Sequence, residues 1–420
     1  MQKAHVRSGT FETAELFGRS GERPWGAHNM DGAEAMAPLR VLELYSGIGG
    51  MHYALNASGL SAEVVAAVDV NTTANEVYKH NFPDVYLWPK TIEGITANEF
   101  NSLDFDMILM SPPCQPFTRI GLQGDISDKR TQSFLHILDV LPRLNKLPKY
   151  ILLENVKGFE SSCARNALVE TLKRCSYRYQ EFLLSPTCLG IPNSRLRYFL
   201  IAKAEPEVFI FKTTDQVLEV IPCPDVVSPS KEGEPPTVSD DKSSEPGRQL
   251  HEGKSFLFKM ETTEHLARKQ SQDSDASVQR LQGFLEEDGL DGPQYLLPPK
   301  VLLRYAMLMD IVTPVCRRSG CFTKGYGHYV EGTGSVLQSS PDVEMAAVFK
   351  SLDSLSDEEK VRRLLKLRLR YFTPREIANL HGFPAHFCFP QKTTLKQRYR
   401  LLGNSLNVHL VGRLIQLMVE

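Results

Sequence analysis

Between residues 39 and 203, short apolar runs alternate with segments of helical length. LRVLELYSG, EVVAAVD, FDMILMSPP, YILLENV, YQEFLLSP and RYFLIAK each read as a strand bounded by turn or helix signals. Strands spaced by helix-sized segments argue for an α/β fold, a mostly parallel sheet with helices on both faces. In such sheets ligands bind outside the carboxyl ends of the strands, so the polar residues at strand ends are the ones to weigh.

The first strand ends in YSGIGGMHYAL, which sets Gly47, Gly49 and Gly50 before a helix. Glycines let a backbone approach a ligand closely and leave helix N–H groups facing an anion. A nicotinamide fingerprint needs a third glycine where His52 stands, which disfavours pyrophosphate. The second strand ends in Asp69, about 20 residues beyond the first glycine, the spacing at which a carboxylate bonds ribose hydroxyls. This combination suits S-adenosylmethionine, with its amino-acid end at the loop and its nucleoside beyond. Asp69 equally suits a turn or cap before NTTANEVY.

The run FDMILMSPPCQPFT, Phe105 to Thr118, stops in prolines that lack an N–H and fix φ, so Cys114 sits on a rigid turn at a strand end. A cysteine there is either a small buried hydrophobe or a nucleophile. Enzymes that methylate exocyclic base nitrogens carry an aromatic residue after a similar Pro-Pro turn; here that place holds a thiol. Methylating carbon 5 of a pyrimidine needs such a group, because that carbon is not nucleophilic until something adds at carbon 6. The charge driven into the ring then needs a proton donor and a cation. YILLENV ends in Glu154 and Asn155, where a carboxyl can share a proton with N3. Arg195 and Arg197 occupy alternate positions entering the last strand and so share one face; one suits the base O2 and the other a structural role.

Bulk properties exclude several classes. At 420 residues the chain holds two or three domains of about 150 each. Its 42% apolar and 23% charged residues are those of a soluble globular protein. The formal charge of -2 confines any nucleic-acid surface to a local patch. Eight cysteines without a C-x-x-C pair read as reduced thiols of an intracellular protein, with no metal site expected. There is no apolar run of membrane-spanning length and no secretory core at the N-terminus. Residues 1–36 mix acids and bases without a period and read as a disordered extension, with Met36 an alternative start. At about 222–254 Pro, Ser, Gly and charge displace apolar residues, the mark of a disordered loop.

Taken in order, Gly47-Ile48-Gly49-Gly50, Asp69, Pro112-Pro113-Cys114-Gln115, Glu154-Asn155-Val156, Arg195-x-Arg197, LRYFTPREIANLHGFP and RYRLLGNSLNV resemble the motifs of cytosine-5 methyltransferases. The resemblance covers about 39–203 and 295–420. It implies a Rossmann-like catalytic domain built from 37–205 and 366–420, closed by a last helix that returns beside the first glycine loop, with a target-recognition domain at 206–365. It implies Cys114, Glu154, Arg195 and Arg197 as catalytic residues and S-adenosylmethionine as donor, leaving S-adenosylhomocysteine. Cofactor contacts are implied at Ile48, Gly49, Gly50, Asp69, Ile92, Glu93, Ser111, Asn404 and Ser405. Two positions depart from the family: Tyr45, where Phe is frequent, and Asn193, where Gln is common before the Arg pair, which puts a contact to the catalytic turn in doubt.

Cys321-Phe322-Thr323 followed by Tyr326-Gly327-x-Tyr329 looks like the signature of a tRNA-modifying branch of this family. That branch implies cytosine 38 of the anticodon loop of aspartate tRNA as target, little or no action on DNA, and substrate contacts at Cys321, Phe322, Thr323, Lys324 and Tyr326. A base in a single-stranded loop is also cheaper to extrude than one in a duplex. Tyr326 and Tyr329 suit either base stacking or filling a small core. Arg317-Arg318, the basic stretch Arg362 to Phe372 and KQRYR at 396–400 read as phosphate contacts or as solvated helix faces. A DNA cytosine-5 methyltransferase and a catalytically silent nucleic-acid binder are the competing readings. The expected protein is a monomer, cytoplasmic with or without a nuclear share, and not bound to a membrane.

Overall fold

Strand β1, Leu39–Leu44, shows how the sheet is buried on both sides. Val41 enters one core while Leu42 and Leu44 enter the other, because successive side chains of a strand point to opposite faces. β4 (Met107–Met110) repeats this, with Met107 and Leu109 against Ile108 and Met110, and β5 (Tyr150–Val156) repeats it with Leu152 against Leu153. Strands covered on both faces are apolar throughout and not alternating, which is why they stand out in the sequence.

The computed structural model describes residues 37–88, 90–113, 128–222, 263–287, 292–330 and 332–420, and Pro38–Glu420 forms one compact unit. The extension expected at 1–36, residues 223–254 of the expected loop, and Cys114 lie outside the described residues. After β1 come α1 (Gly50–Ala57), β2 (Ala62–Val68), α2 (Thr72–Asn81), β3 (Leu87–Trp88) and α3 (Ala97–Leu103). Then follow β4, α4 (Gln132–Val140), β5, α5 (Cys163–Arg174), β6 (Tyr177–Leu184) and β7 (Arg197–Ala204). Among the described residues these strands form a seven-stranded sheet in the order β3-β2-β1-β4-β5-β7-β6. It is parallel except for β7, which runs antiparallel to β5 and β6. Strand order reverses between β1 and β4, so a crevice opens at their carboxyl ends. The six expected strands are all present; β3, two residues long, has no period to betray it.

The chain continues through α6 (Thr263–Ser274), α7 (Pro299–Tyr305), β8 (Ile311–Val312), β9 (Val336–Gln338), α8 (Met345–Phe349), α9 (Asp357–Leu365) and β10 (Leu369–Tyr371). These strands make a three-stranded sheet, order β10-β9-β8, over a separate small core that includes Leu302, Phe349 and Leu369. α10 (Pro374–Leu380), α11 (Leu395–Asn404) and α12 (Val408–Val419) then return to the large sheet. α12 buries Val411, Leu414, Ile415 and Met418 in the same core as Met51 and Leu55 of α1. Each such side chain contributes roughly 1.5–3 kcal/mol on burial. Gly412 permits the approach: a Cβ there would lie 3.1 Å from the Ala54 carbonyl oxygen. Among the described residues no helix is long and apolar enough to cross a membrane.

Candidate active site

The turn after β1 is tight enough to need left-handed backbone at Tyr45, Gly47 and Gly49, with φ of 58°, 54° and 86°. A Cβ on Gly49 would fall 2.6 Å from the Phe82 ring, and one on Gly50 would sit 3.1 Å from Ser405 Oγ and Leu406 Cγ. The turn is thus gripped by the end of α2 on one side and by the α11–α12 junction on the other. α11 is registered by a capping box in which Thr394 and Gln397 each bond the other's backbone, which fixes where Asn404 and Ser405 arrive.

Asp69, just past β2, accepts from the Gly47 N–H at 2.9 Å and the Asn71 N–H at 2.7 Å. Asn71 in turn caps α2 by accepting from the Ala74 N–H at 3.2 Å. The two sequence readings of Asp69 are therefore compatible: its carboxylate latches the glycine turn and also lines the crevice. Burial raises its pKa above the usual carboxylate range, against backbone hydrogen bonds that pull it down.

Opposite this, β4 ends in Ser111-Pro112-Pro113. The Ser111 hydroxyl donates to the Tyr45 carbonyl at 3.3 Å, and Asn155 Nδ2 donates to the Pro112 carbonyl at 3.3 Å, so two neighbouring strands hold the proline turn. Glu154 is buried, and its Oε1 lies 3.5 Å from Arg197 Nε. Burial pushes its pKa up and outweighs the opposing pull of Arg197 and Arg195. A carboxyl whose pKa is shifted in this direction is better suited to share a proton with a ring nitrogen than a free one.

The two arginines differ in role. Arg195 is buried and donates to the carbonyls of Phe322 at 3.0 Å, Gly403 at 3.4 Å and Ser405. It ties the loop at 321–326 to the end of α11 while also lining the cavity of the site. Arg197, half-buried and paired with Glu154, is the one set beside the carboxyl. Asn193, the departure before this pair, donates from Nδ2 to Ser319 Oγ at 3.0 Å and the Gly320 carbonyl at 2.9 Å; the contact to the proline turn comes from Asn155 instead.

One cavity of about 280 Å³ brings together Ile48, Gly50, Asp69, Ser111, Glu154, Arg195, Arg197, Asn404 and Ser405 of the expected set. Gly49 faces Phe82 and is not in its lining, Ile92 is committed to a core, and Glu93 is exposed outside it. Ser46, Val70, Leu401 and Leu406 line it as well, and no local pattern distinguishes them from their neighbours in the motifs. The Ser46 hydroxyl is buried with no hydrogen-bond partner among the described residues. An orphaned hydroxyl, a glycine turn, a fixed carboxylate and apolar walls fit S-adenosylmethionine, which joins an amino acid to a nucleoside.

The expected substrate contacts divide. Phe322 and Tyr326 are buried in the main core, and the Tyr326 hydroxyl donates to the Ser335 carbonyl and accepts from the Phe372 N–H. Both are corrected from substrate contacts to core residues. Thr323 is half-buried, its carbonyl accepting from the Tyr326 N–H at 3.0 Å, while Lys324 is exposed and Tyr329 keeps 62% of its surface. Cys321 touches Arg195 and Arg197. Of the basic patches, Arg318 is buried against Asp310 and Asp273, and Arg370 is buried in a bidentate pair with Glu376, so neither serves a phosphate.

A family model described as C-5 cytosine-specific DNA methylase matches residues 39–420. The tRNA (cytosine(38)-C(5))-methyltransferase of Homo sapiens is 63% identical over 92% of this chain and 100% of its own length. The DNA (cytosine-5)-methyltransferase of Dictyostelium discoideum is 39% identical over 92% of this chain and 95% of its own. A solved structure of a Spodoptera frugiperda DNMT2 mutant is 38% identical, with a TM-score of 0.72 over 91% of this chain and 100% of that one.

Proposed function

The chain belongs to the C-5 cytosine-specific DNA methylase family, and on that footing we propose a tRNA substrate for it: cytosine 38 of the anticodon loop, methylated at carbon 5. Aspartate tRNA is the first candidate, as the sequence signature at 321–329 implies. The observation that carries the reading is a single cavity lined by Asp69, the glycine turn, Glu154 and Arg197 together with the turn that leads into Cys114.

The Cys114 thiolate adds to cytosine carbon 6, and the displaced electron pair moves toward N3 and O2. Glu154, its pKa raised by burial, shares a proton with N3, and Arg197 offers its guanidinium to O2. Ser46, the glycine turn, Asp69 and Asn404-Ser405 would hold S-adenosylmethionine, which when bound supplies an electrophilic methyl group. Removal of the carbon 5 proton and expulsion of the Cys114 thiolate then restore the ring. Functionally, 37–205 with 366–420 would do the chemistry and 206–365 would select the target, in a cytoplasmic monomer with or without a nuclear share.

The test is transfer of a labelled methyl group to purified tRNA and, separately, to duplex DNA, by wild type and Cys114→Ala. Label on tRNA that vanishes in the variant is expected. Label mainly on DNA would favour the second reading, a DNA methyltransferase, which the name of the Dictyostelium relative supports; tRNA bound but unlabelled would favour a silent binder.

A further inference from the structure

The two arginines of the site share an acceptor that the mechanism above does not use. Cys321 Sγ accepts from Arg195 Nη1 at 3.4 Å and from Arg197 Nη2 at 3.5 Å, 126 and 124 residues away in the chain. Arg195 is anchored on the Phe322 and Gly403 carbonyls; Arg197 pairs with Glu154. One sulfur therefore bridges the carbonyl-anchored guanidinium and the guanidinium beside the Glu154 carboxyl. The sulfur is itself held, because the next residue, Phe322, is buried and Arg195 bonds its carbonyl.

We propose that Cys321 is a positioning residue for methyl transfer: its sulfur takes a hydrogen bond from each guanidinium and so fixes Arg197 at Glu154. The inference rests on the methyl-transfer reading of the cavity and adds to it the group that orients its cation. Two like charges on one acceptor repel less than two left to face each other, and a sulfur accepts far better as a thiolate than as a thiol. Consistent with that, the two guanidiniums hold the Cys321 thiol below its usual range even though burial opposes them. Serine keeps an acceptor at this place with little change of volume; alanine and valine remove it.

The experiment measures the single-turnover rate on tRNA at saturating cofactor, together with the cofactor KM, for wild type, Cys321→Ser and Cys321→Ala. Losing a hydrogen bond to a charged group should slow Cys321→Ala by about tenfold or more. Cys321→Ser should recover part of that loss, and the cofactor KM should stay as in wild type, because Arg195 keeps its bonds to the Phe322, Gly403 and Ser405 carbonyls without the sulfur. A wild-type rate in Cys321→Ala overturns the proposal, as does an equal fall in both variants with a raised cofactor KM, which would mark simple packing. Should alanine fail to fold, serine against Cys321→Val gives the same contrast. If wild type labels DNA and not tRNA, the substrate reading fails and the same variants on duplex DNA still decide the positioning role.

Discussion

Gly403→Ala tests how closely two segments must meet for the site to form. Gly403 lies in the last turn of α11, and a Cβ there would come within 3.0 Å of Thr323 C, Thr323 O and Lys324 N, against 3.4 Å or more for ordinary contact. All three are backbone atoms, so no side-chain rotation relieves the clash; one segment must retreat by on the order of 1 Å. Overpacking of this kind costs about 1–3 kcal/mol. With an unfolding entropy near 2.1 cal/mol/K per residue over roughly 320 described residues, that lowers Tm by only about 1–5 °C. The catalytic cost should be far larger, because Arg195 spans the same gap, bonding Phe322 on one side and Gly403 and Ser405 on the other. A misplacement of about 1 Å can cost roughly 100-fold in rate. Calorimetry and single-turnover methylation of one preparation should therefore show a small fall in Tm and a fall of about two decades in rate. A variant that turns over like wild type would refute the idea that this contact sets the geometry.

Two further outcomes follow from the same side of the sheet. Asp69→Asn leaves one acceptor where two N–H groups, from Gly47 and Asn71, now bond, so S-adenosylmethionine binding by calorimetric titration should weaken by about 10- to 100-fold; an unchanged affinity would show that Asp69 is only a cap. Glu43 is held up at about 8 by burial, so as pH rises from its ordinary 4.5 the unfolded chain gives up a proton that the folded state keeps, and stability falls through that window. Its neighbour His52, held down at about 4, has the opposite effect but only below its ordinary 6.5. Between pH 6.5 and 8, wild type should lose roughly 2 kcal/mol in urea unfolding through Glu43, and Glu43→Gln should remove that slope; equal slopes would contradict the assignment.

The strands were legible because burial on both faces leaves an apolar run, and the site motifs because they sit at strand ends. What stayed hidden were partners remote in sequence. Arg195 and Arg197 are alternate residues of one strand entry and look equivalent, yet carbonyls from residues 322, 403 and 405 claim the first and a carboxyl on β5 claims the second. Tyr326 and Tyr329 lie in a loop without a period, so nothing local says that Tyr326 meets the rings of Phe322 and Tyr399 while Tyr329 stays in solvent. Arg318 and Arg370 read as surface cations because Asp310 and Glu376, which neutralise them in the interior, do not stand beside them in a recognisable pattern.

The closure of α12 on α1 bears on how the protein is made. A ribosome delivers the glycine turn long before Ser405-Leu406, so a nascent chain carries half a pocket and an uncovered apolar face on α1 until α12 emerges. A chain interrupted before residue 405 would therefore be a client for chaperones and proteases, not a weaker enzyme.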